Sequence, residues 1–397
     1  MEVVSISTHA PYDGIPHAGG EFYGRHAQLL SESHGLTVVC PWTPANEAAL
    51  QRPARGSYRR VVVTPPSRRR RQDRRTLATR ALPFLTRGPF LRALLGDPDL
   101  RALLQRADRI ELQWFDMVVL APRLRRALPG TPLTGVFHDV VSQGHLRMLT
   151  SSGAPVSRRL LALVRLVLSV PLEWRAVRAL RTAVVLSDKD RVLLERRGAG
   201  DRVVVLPPAL DEPDMPASPR ERPPAIPEVL FVGAMWRPEN TDAASWLLRE
   251  VWPRVRDRVP GARLTIAGAN PTAALRRQAE AVAGVELTGQ VESLAPCYRR
   301  ASVAVSPMRL GAGVKLKGVV AMLWGVPVVA TTVGAEGIEG QDVFVAVEDD
   351  AAAFASAVAR VLTDPGPALE VAARAHAWSH ARYSSQGHRR VLQALYP

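Results

Sequence analysis

The sequence predicts an α/β protein built from two domains, each a doubly wound parallel β-sheet flanked by helices. Three observations support this prediction. The chain of 397 residues is too long for one ordinary domain and suits two. Short β-rich runs alternate with helical runs from end to end, which is typical of parallel sheets with crossover helices. Residues 206–211 and the proline-rich stretch 212–227 separate the halves and predict a linker.

The first half contains β-rich runs and one long helical run. The helical run, 157–183, is interrupted by Pro171, which removes one backbone hydrogen bond and predicts a kink. The predicted strands of this half are 2–7, 36–40, 109–113, 134–138, 184–186 and 203–206.

The second half repeats the alternation. A helical run opens at about Val314, and another, 383–395, ends the chain. The predicted strands of this half are 228–233, 263–268, 285–288, 303–306 and 326–330.

Composition and charge indicate a globular protein that attracts anions. Hydrophobic residues make up 47% of the chain and charged residues 22%, unlike a disordered or membrane-embedded protein. The net charge of +15 predicts attraction to polyanions, which include nucleoside diphosphates, an anionic acceptor, a membrane surface and nucleic acid. The longest apolar stretch, 160–172, contains Arg165 and is too short to span a bilayer.

Cysteine use and the start of the chain favour a cytoplasmic protein. Cys40 and Cys297 lie far apart, so neither a disulfide framework nor a zinc site is indicated. The chain begins with a strand-like run, without a basic leader or a cleavage site, and we therefore expect no secretion. Peripheral attachment to the inner face of the membrane is left open.

The segment 306–340 carries the pattern of an anion site. A short apolar strand is followed by a turn containing Gly311 and Gly313 and then by a helical run. This arrangement directs backbone N–H groups and the positive end of a helix dipole towards one point, where phosphate binds. Lys315 and Lys317 lie at that point in the sequence. The alternative is an ordinary turn with both lysines solvated, and spacing alone leaves both open.

Further candidates lie where predicted strands end. Gly19 and Gly20 follow the first strand in a loop, where two glycines allow close approach to a ligand or to the opposing domain. His138 ends another strand, a usual place for site residues, and its alternative is a buried histidine satisfied by a backbone carbonyl. Arg237 follows a third strand and can contact a diphosphate through two N–H groups, although an exposed loop arginine is also ordinary.

The most basic segment, 52–75, is predicted to be a solvated surface loop, because like charges at this density repel one another. The alternative is contact with an anionic acceptor or with lipid headgroups, assisted by the apolar run 82–95. Few aromatic residues are interspersed, which argues against single-stranded nucleic acid as a partner. The arginines of this segment that form its densest part are Arg68, Arg69, Arg70, Arg71, Arg74 and Arg75.

The second half resembles family 4 glycosyltransferases. The ordered pattern GAGVKLKGVVAMLWGVPVVATTVGAEG at 311–337 is similar to the donor-binding signature of that family, in the branch with a glycine-rich turn and two basic residues. The resemblance implies a GT-B fold, in which two Rossmann-like domains face each other across a cleft. We place the acceptor-side domain at 1–208 and the nucleotide-sugar domain at 209–380. The helix within 381–397 is expected to pack back on the first domain.

The resemblance also implies roles for individual residues. The donor diphosphate is expected in the glycine turn, the base near the backbone of 288–292, and the sugar beside the strand-end histidine. The implied donor-binding residues are Gly19, Gly20, Arg237, Gly289, Val291, Gly311, Gly313, Val314, Lys315, Lys317 and Glu336, and the implied catalytic residues are His138 and Asp139.

The sequence departs from the family at several positions. The family usually carries two glutamates across this turn and helix, and Ala312 and Val320 occupy those positions here. Valine cannot accept the hydrogen bond that the second glutamate normally takes from the ribose. After the strand-end histidine, Asp139 and Val141 replace an asparagine and a glutamate.

The sequence therefore predicts a retaining glycosyltransferase that moves a sugar from a nucleotide-diphosphate sugar to a hydroxyl-bearing acceptor. The acceptor, held mainly by the first domain, is a small molecule, a natural product or a glycan. No cofactor and no metal are expected, because no Asp-x-Asp pair lies at a strand end. The alternatives are a non-catalytic protein of the same fold and a polyanion-binding protein. Nucleic acid is not an expected partner.

Overall fold

The computed structural model describes residues 1–15, 18–64, 87–150, 156–311, 314–338, 340 and 342–397. The chain divides into two compact units, which are Met1–Ala209 with His388–Pro397 and Leu210–Gly387. Residues 206–227, all of them described, contain neither helix nor strand, and the first boundary lies among them.

The first unit is built on a parallel sheet. Its strands are β1 (Glu2–Ile6), β2 (Gly35–Pro41), β3 (Arg59–Val63), β4 (Arg109–Gln113), β5 (Leu133–Phe137), β6 (Thr182–Val185) and β7 (Val203–Val205). Among the described residues these seven strands lie in the order β3-β2-β1-β4-β5-β6-β7, and every neighbouring pair is parallel. Strands β4 and β5 are buried at every position, as expected for strands covered by helices on both faces.

Helices connect these strands. Three of them begin at side chains that cap backbone N–H groups, namely Thr43, Asp97 and Ser187. The helices are α1 (Ala18–Ser31), α2 (Pro44–Leu50), α3 (Gly88–Gly96), α4 (Pro98–Arg106), α5 (Phe115–Val118), α6 (Ala121–Ala127), α7 (Val141–Thr150), α8 (Val156–Ala179) and α9 (Asp188–Leu194).

The second unit is also built on a parallel sheet. Its strands are β8 (Glu228–Val232), β9 (Arg263–Ala267), β10 (Val285–Gly289), β11 (Val303–Ser306), β12 (Val328–Ala330) and β13 (Ala346–Val347). In the described part of the unit their order is β10-β9-β8-β11-β12-β13, and all pairs are parallel. The helices are α10 (Pro238–Trp246), α11 (Trp252–Arg258), α12 (Ala273–Glu280), α13 (Ala295–Arg300), α14 (Leu316–Leu323), α15 (Ala351–Thr363), α16 (Gly366–Tyr383) and α17 (Ser385–Leu395), the last of which crosses the unit boundary.

Three predicted helix bounds were wrong. Helix α1 begins at Ala18, so Gly19 and Gly20 lie in its first turn and not in a loop before it. Helix α14 begins at Leu316, two residues later than predicted. The long helix predicted over 157–183 ends at Ala179, because β6 already begins at 182, and it continues through Pro171.

The strand order reverses once in each sheet. In the first sheet the reversal lies between β1 and β4, and in the second it lies between β8 and β11. Open α/β sheets bind ligands at the carboxyl ends of the strands beside such a reversal. Candidate sites therefore lie after Ile6 and Gln113 in the first unit, and after Val232 and Ser306 in the second.

The end of α17 is held in the first unit by a buried polar network. Glu111 in β4 is fully buried and accepts hydrogen bonds from Tyr396 Oη (2.7 Å) and Ser5 Oγ (2.8 Å). His26 Nε2 lies 2.9 Å from Glu111 Oε1, and His26 Nδ1 lies 3.2 Å from His388 Nε2. The network thus joins β1, α1, β4 and α17.

The donors and acceptors of this network can be assigned. A carbonyl only accepts, so His388 Nδ1 donates to Pro207 O (2.8 Å). Burial and the neighbouring His26 lower the pKa of His388 to about 3, so its Nε2 accepts from His26 Nδ1. Burial raises the pKa of Glu111, but the charge and hydrogen bond of His26 outweigh burial and lower that pKa to about 2. His26 thus links the Glu111 carboxyl group to His388 through its two ring nitrogens.

Candidate active site

Positive charge is concentrated at the carboxyl end of β11, where α14 begins. Lys315 holds the N-cap position of α14 and is 7% exposed. Gly311 has a φ of +106°, and a Cβ atom on it would lie 3.6 Å from Lys315 Nζ. This left-handed backbone favours glycine and lets the loop pass beside the ammonium group. An anion bound here would also meet the positive end of the α14 dipole.

Lys317 lies two residues after Lys315, in the first turn of α14, and its side chain is directed inward. Its Nζ donates to Asn240 Oδ1 (2.6 Å), lies 3.3 Å from Met308 Sδ, and lies 5.0 Å from the centre of the Phe231 ring. Burial and then the charge of Lys315 lower the pKa of Lys317 to about 7. The interpretation of two solvated lysines is therefore wrong.

The start of α10 forms the neighbouring wall of this site. Arg237 holds the N-cap position of α10, is about half exposed, and pairs with Glu239 Oε1 at 2.6 Å. Asn240, which receives the Lys317 hydrogen bond, donates through Nδ2 to Ala234 O (2.9 Å). Because a Cβ atom on Gly233 would lie 2.9 Å from Asn240 Cγ, the strand end and the amide fit only with glycine.

The turn that follows β12 packs against the segment between β11 and α14. Thr331 Oγ1 donates to Met308 O, and Gly334 N donates to Thr331 Oγ1 (2.9 Å). Gly337 has a φ of +78°, and a Cβ atom on it would lie 3.0 Å from Val314 Cγ2. Glu336, the residue before it, therefore lies in the turn that packs against the start of α14. Val314, Lys315, Lys317 and Glu336 are thus brought together.

The predicted base-contacting residues follow the edge strand β10. Gly289 has a φ of +69°, and Gly268 N donates to Gly289 O (3.0 Å), which joins the ends of β9 and β10. Val291 lies two residues beyond, half-buried.

In the first unit, the predicted histidine lies in an aromatic cluster. His138 is 9% exposed, and its ring stacks on Trp114 with centroids 4.2 Å apart and planes 17° apart. His138 Nε2 lies 2.8 Å from Gln113 Oε1, so a side-chain amide is one of its partners. Phe22 meets the same ring edge-on at 5.1 Å.

The first turn of α1 approaches this cluster closely. A Cβ atom on Gly19 would lie 3.4 Å from Trp114 Nε1 and 3.6 Å from His138 Nδ1. Gly19 and His138, which were both predicted to belong to the donor site, are therefore neighbours in space. Gly20 is buried behind Gly19, and Asp139 is exposed at the end of β5.

Sequence reasoning missed two residues of these sites. Trp114 has a φ of +67°, a conformation that is uncommon for a bulky residue and clusters at functional sites. Asn240 binds Lys317 across 77 positions of sequence. Neither carries a local sequence signal, because backbone strain and long-range pairing appear only in three dimensions.

The glycine turn and its lysines lie in a segment that matches a known protein family. Residues 226–364 match the model of the family described as Glycosyl transferases group 1. This segment is a glycosyltransferase group 1 domain. It contains every candidate residue of the second unit, so the predicted glycosyltransferase family is confirmed for this segment.

Solved structures similar to the whole chain support the fold. HepE from Anabaena, solved in complex with UDP and glucose, matches with a TM-score of 0.67 at 14% identity, over 100% of this chain and 99% of that one. Sucrose-phosphate synthase from Thermosynechococcus elongatus matches with a TM-score of 0.70 at 16% identity, over 100% and 98%. The predicted α/β fold class of the GT-B type is confirmed.

A curated relative covers only part of the chain. A protein described as an uncharacterized 44.6 kDa protein in the cps region of Klebsiella pneumoniae is 29% identical over 168 residues, which are 40% of this chain. The match spans 43% of the length of that relative.

Three predictions meet the limits of the described residues. Gly313, Ala312 and the arginine run from Arg68 to Arg75 lie outside them. Within them, no group of three or more His, Cys, Asp or Glu side chains is placed to hold a metal ion, and metal-independent transfer stays a prediction. None of the described helices has the length and apolar content of a membrane span.

Val320, which replaces the usual glutamate of the glycosyltransferase domain, is half-buried. It packs against the apolar cluster that includes Leu230, Val319 and Met322.

Proposed function

We propose that this protein transfers a sugar from a nucleoside-diphosphate sugar to a hydroxyl group of an acceptor, with retention of anomeric configuration. The observation that carries the proposal is the pair Lys315 and Lys317 at the start of α14, inside the segment that matches the group 1 model. An anion bound beside them would weaken the repulsion by which the charge of Lys315 lowers the pKa of Lys317. The donor diphosphate would supply that anion.

The same groups suit the chemistry of the transfer. Negative charge grows on the departing diphosphate as the bond between it and the anomeric carbon breaks. Lys315 and the N-terminus of α14 would stabilise this charge, and Arg237 would add a contact by exchanging Glu239 for phosphate. The acceptor hydroxyl would attack as the diphosphate leaves and pass its proton to the departing phosphate oxygen, so no covalent nucleophile is required.

UDP sugars are the first donors to test. HepE, a protein of the same fold, was solved with UDP and glucose. We propose that the base and ribose are held by the backbone near Gly289 and Val291 and by Glu336, and that His138 and Asp139 act at the sugar. The acceptor is a hydroxyl compound, and an anionic one would suit the positive charge of the chain.

The diphosphate assignment is tested with Lys315→Ala. We expect nucleoside diphosphate affinity to fall by about tenfold to hundredfold, because a charge-assisted contact to phosphate contributes about 1.5–3 kcal/mol. Isothermal titration calorimetry with the diphosphates of uridine, guanosine, adenosine, cytidine and thymidine measures this. Arg309→Ala is the matched control, since Arg309 lies in the same loop and pairs with Asp242 (2.7 Å).

Catalysis is tested separately, by the release of diphosphate from donor sugars without acceptor. Slow donor hydrolysis that Lys315→Ala abolishes would support a transferase. Affinity unchanged in Lys315→Ala would contradict the site, and absence of binding for all five diphosphates would favour the non-catalytic alternative.

The role of His138 is tested with His138→Ala. We expect turnover to fall more than nucleotide affinity, because the histidine is assigned to the sugar and not to the diphosphate. His9→Ala is the control, since His9 also contacts the Trp114 ring, edge-on at 5.3 Å. Equal losses of turnover and affinity would identify His138 as a structural residue.

A further inference from the structure

Helix α8 exposes the apolar side that a helix normally buries. Its large exposed residues recur at the spacing of one helix face, which usually packs into a core. The most exposed are Val156 at 79%, Val167 at 63% and Leu160 at 62%. We call this face the α8 stripe, and its members are Val156, Leu160, Leu163, Val164, Val167 and Trp174.

The opposite side of α8 is fixed to the first unit. The residues buried there are Ala162, Ser169, Glu173, Ala176 and Val177. Glu173 accepts hydrogen bonds from Ser142 N (2.9 Å) and Ser142 Oγ (2.7 Å), which anchors α8 to α7. Helix α8 is therefore packed against the first unit through its other face, and the α8 stripe stays exposed. The stripe spans 19 residues, and its two ends lie about 27 Å apart along the helix.

The stretch of sequence that contains most of the α8 stripe carries charge of one sign. No Asp or Glu occurs in the sequence between Asp139 and Glu173, whereas Arg147, Arg158, Arg159 and Arg165 do. Positive charge with apolar side chains on one helix face is the composition of helices that lie in a membrane interface.

A groove at the far end of the α8 stripe extends the positive surface. Trp174 belongs to both, and Arg178 lies over its ring at 4.2 Å. No Asp or Glu is among the described residues that line the groove. Its arginines, all on α6, α8 or the residue before α3, are Arg87, Arg123, Arg125, Arg126, Arg175 and Arg178.

We propose that the α8 stripe and the adjoining arginine groove form a docking surface for an anionic lipid bilayer. The aliphatic side chains insert at the level of the acyl chain boundary, and the arginines contact the headgroup phosphates. Helix α8 lies in the plane of the membrane in this arrangement and does not cross it. A second copy of this chain is a poorer occupant, because two such surfaces would bring arginines against arginines.

The test is flotation of the full chain with lipid vesicles. One set contains phosphatidylcholine alone, and the other contains phosphatidylcholine and phosphatidylglycerol in equal parts. We expect binding to the anionic vesicles that weakens with added salt, because the headgroup contacts are electrostatic. The double variant Leu160→Glu with Val167→Glu should bind at least about tenfold less, because it removes insertion and adds negative charge.

Two further variants separate the parts of the proposal. Arg175→Gln with Arg178→Gln should weaken binding to anionic vesicles and leave any residual binding to phosphatidylcholine unchanged. Ile226→Glu with Val347→Glu is the matched control, because these residues of the second unit are each 45% exposed. Thermal denaturation should show that all variants are as stable as the wild type, because the substituted side chains are exposed.

Three results would overturn the proposal. The first is absence of flotation of the wild-type chain with anionic vesicles. The second is flotation that the Leu160→Glu, Val167→Glu pair leaves unchanged or that the control pair reduces equally, which would point to another basic segment such as 68–75. The third is a lipid-free dimer, seen by analytical ultracentrifugation, that Leu160→Glu dissociates.

Discussion

Two buried charged clusters, one in each unit, are built on opposite principles. In the first unit, His26 Nε2 lies 2.9 Å from Glu111 Oε1, and Tyr396 and Ser5 donate hydrogen bonds to the same carboxyl group. In the second unit, burial and then the charges of Lys315 and Arg237 lower the pKa of Lys317, and the charge of Glu239 raises it. In the first cluster, hydrogen bonds from several elements surround a buried carboxylate, and in the second, like charges act on one buried ammonium group.

This difference separates a structural role from a ligand-binding role. A buried ion pair whose hydrogen bonds are satisfied holds elements together, here α1, β4 and α17, and needs no further partner. A cluster of like charges at the end of a parallel strand is stabilised when an anion binds. Breaking the first cluster should therefore change stability, and breaking the second should change ligand affinity.

The largest effect is expected from Glu111→Gln. The change should lower the free energy of unfolding by about 1–3 kcal/mol, because the new amide NH2 would face groups that donate to the carboxylate and would leave a buried donor unsatisfied. Urea denaturation followed by circular dichroism measures the change. Hydrogen exchange should show faster opening of 388–397, since Tyr396 loses its acceptor.

The control for this prediction is Glu32→Gln. Glu32 pairs with Arg389 of the same helix α17 at 2.9 Å, but both side chains are exposed. We expect a change of about 0–1 kcal/mol, as for other surface ion pairs. If Glu111→Gln were as mild as Glu32→Gln, the buried network would not be what holds α17.

The next effect concerns pH and Lys317. Its pKa in the folded protein is about 7, below the ordinary value of 10.5, so the unfolded chain binds more protons between these values. The stability of the ligand-free protein therefore gains from this group as pH rises through that window. A bound diphosphate raises the pKa of Lys317 again, so binding takes up a proton above pH 7 and affinity falls as pH rises.

Calorimetry at about pH 7.5 and about pH 9, in buffers of different ionisation enthalpy, measures the affinity and the proton uptake. The affinity should fall by up to about tenfold per pH unit, the limit for one coupled proton. Lys317→Met should remove this dependence, whereas Arg309→Ala should keep it. A wild-type affinity that is flat over this range would contradict the coupling of Lys317 to the anion.

The smallest effect is expected at Val320. Val320→Glu should weaken nucleotide binding slightly, because it places a carboxylate against an apolar cluster. Glu336→Gln should also weaken binding if Glu336 holds the ribose, by about 1.5–3 kcal/mol at most. Tighter binding by Val320→Glu with no effect of Glu336→Gln would instead mean that the wild-type ribose has no carboxylate partner.

Much of the fold was predictable because local patterns express it. Strands 109–113 and 303–306 were predicted with the bounds that the structure has, because each is a short segment with apolar residues at alternating or neighbouring positions between helical runs. Helix starts were less accurate. The glycines at 19 and 20 indicated a loop, yet they lie inside α1, where small residues let the helix pass Trp114 and His138.

The sequence by itself determined the fold class, the glycine turn and the position of its lysines along the chain, because these depend on residue types at short spacing. Only the tertiary structure decided which groups surround each buried charged side chain. Glu111 meets His26 over 85 positions and Tyr396 over 285, and Lys317 meets Asn240 over 77. The energy of a buried charge depends on the groups that surround it in space. The order of the strands brings those groups together, and no single position of the sequence specifies that order.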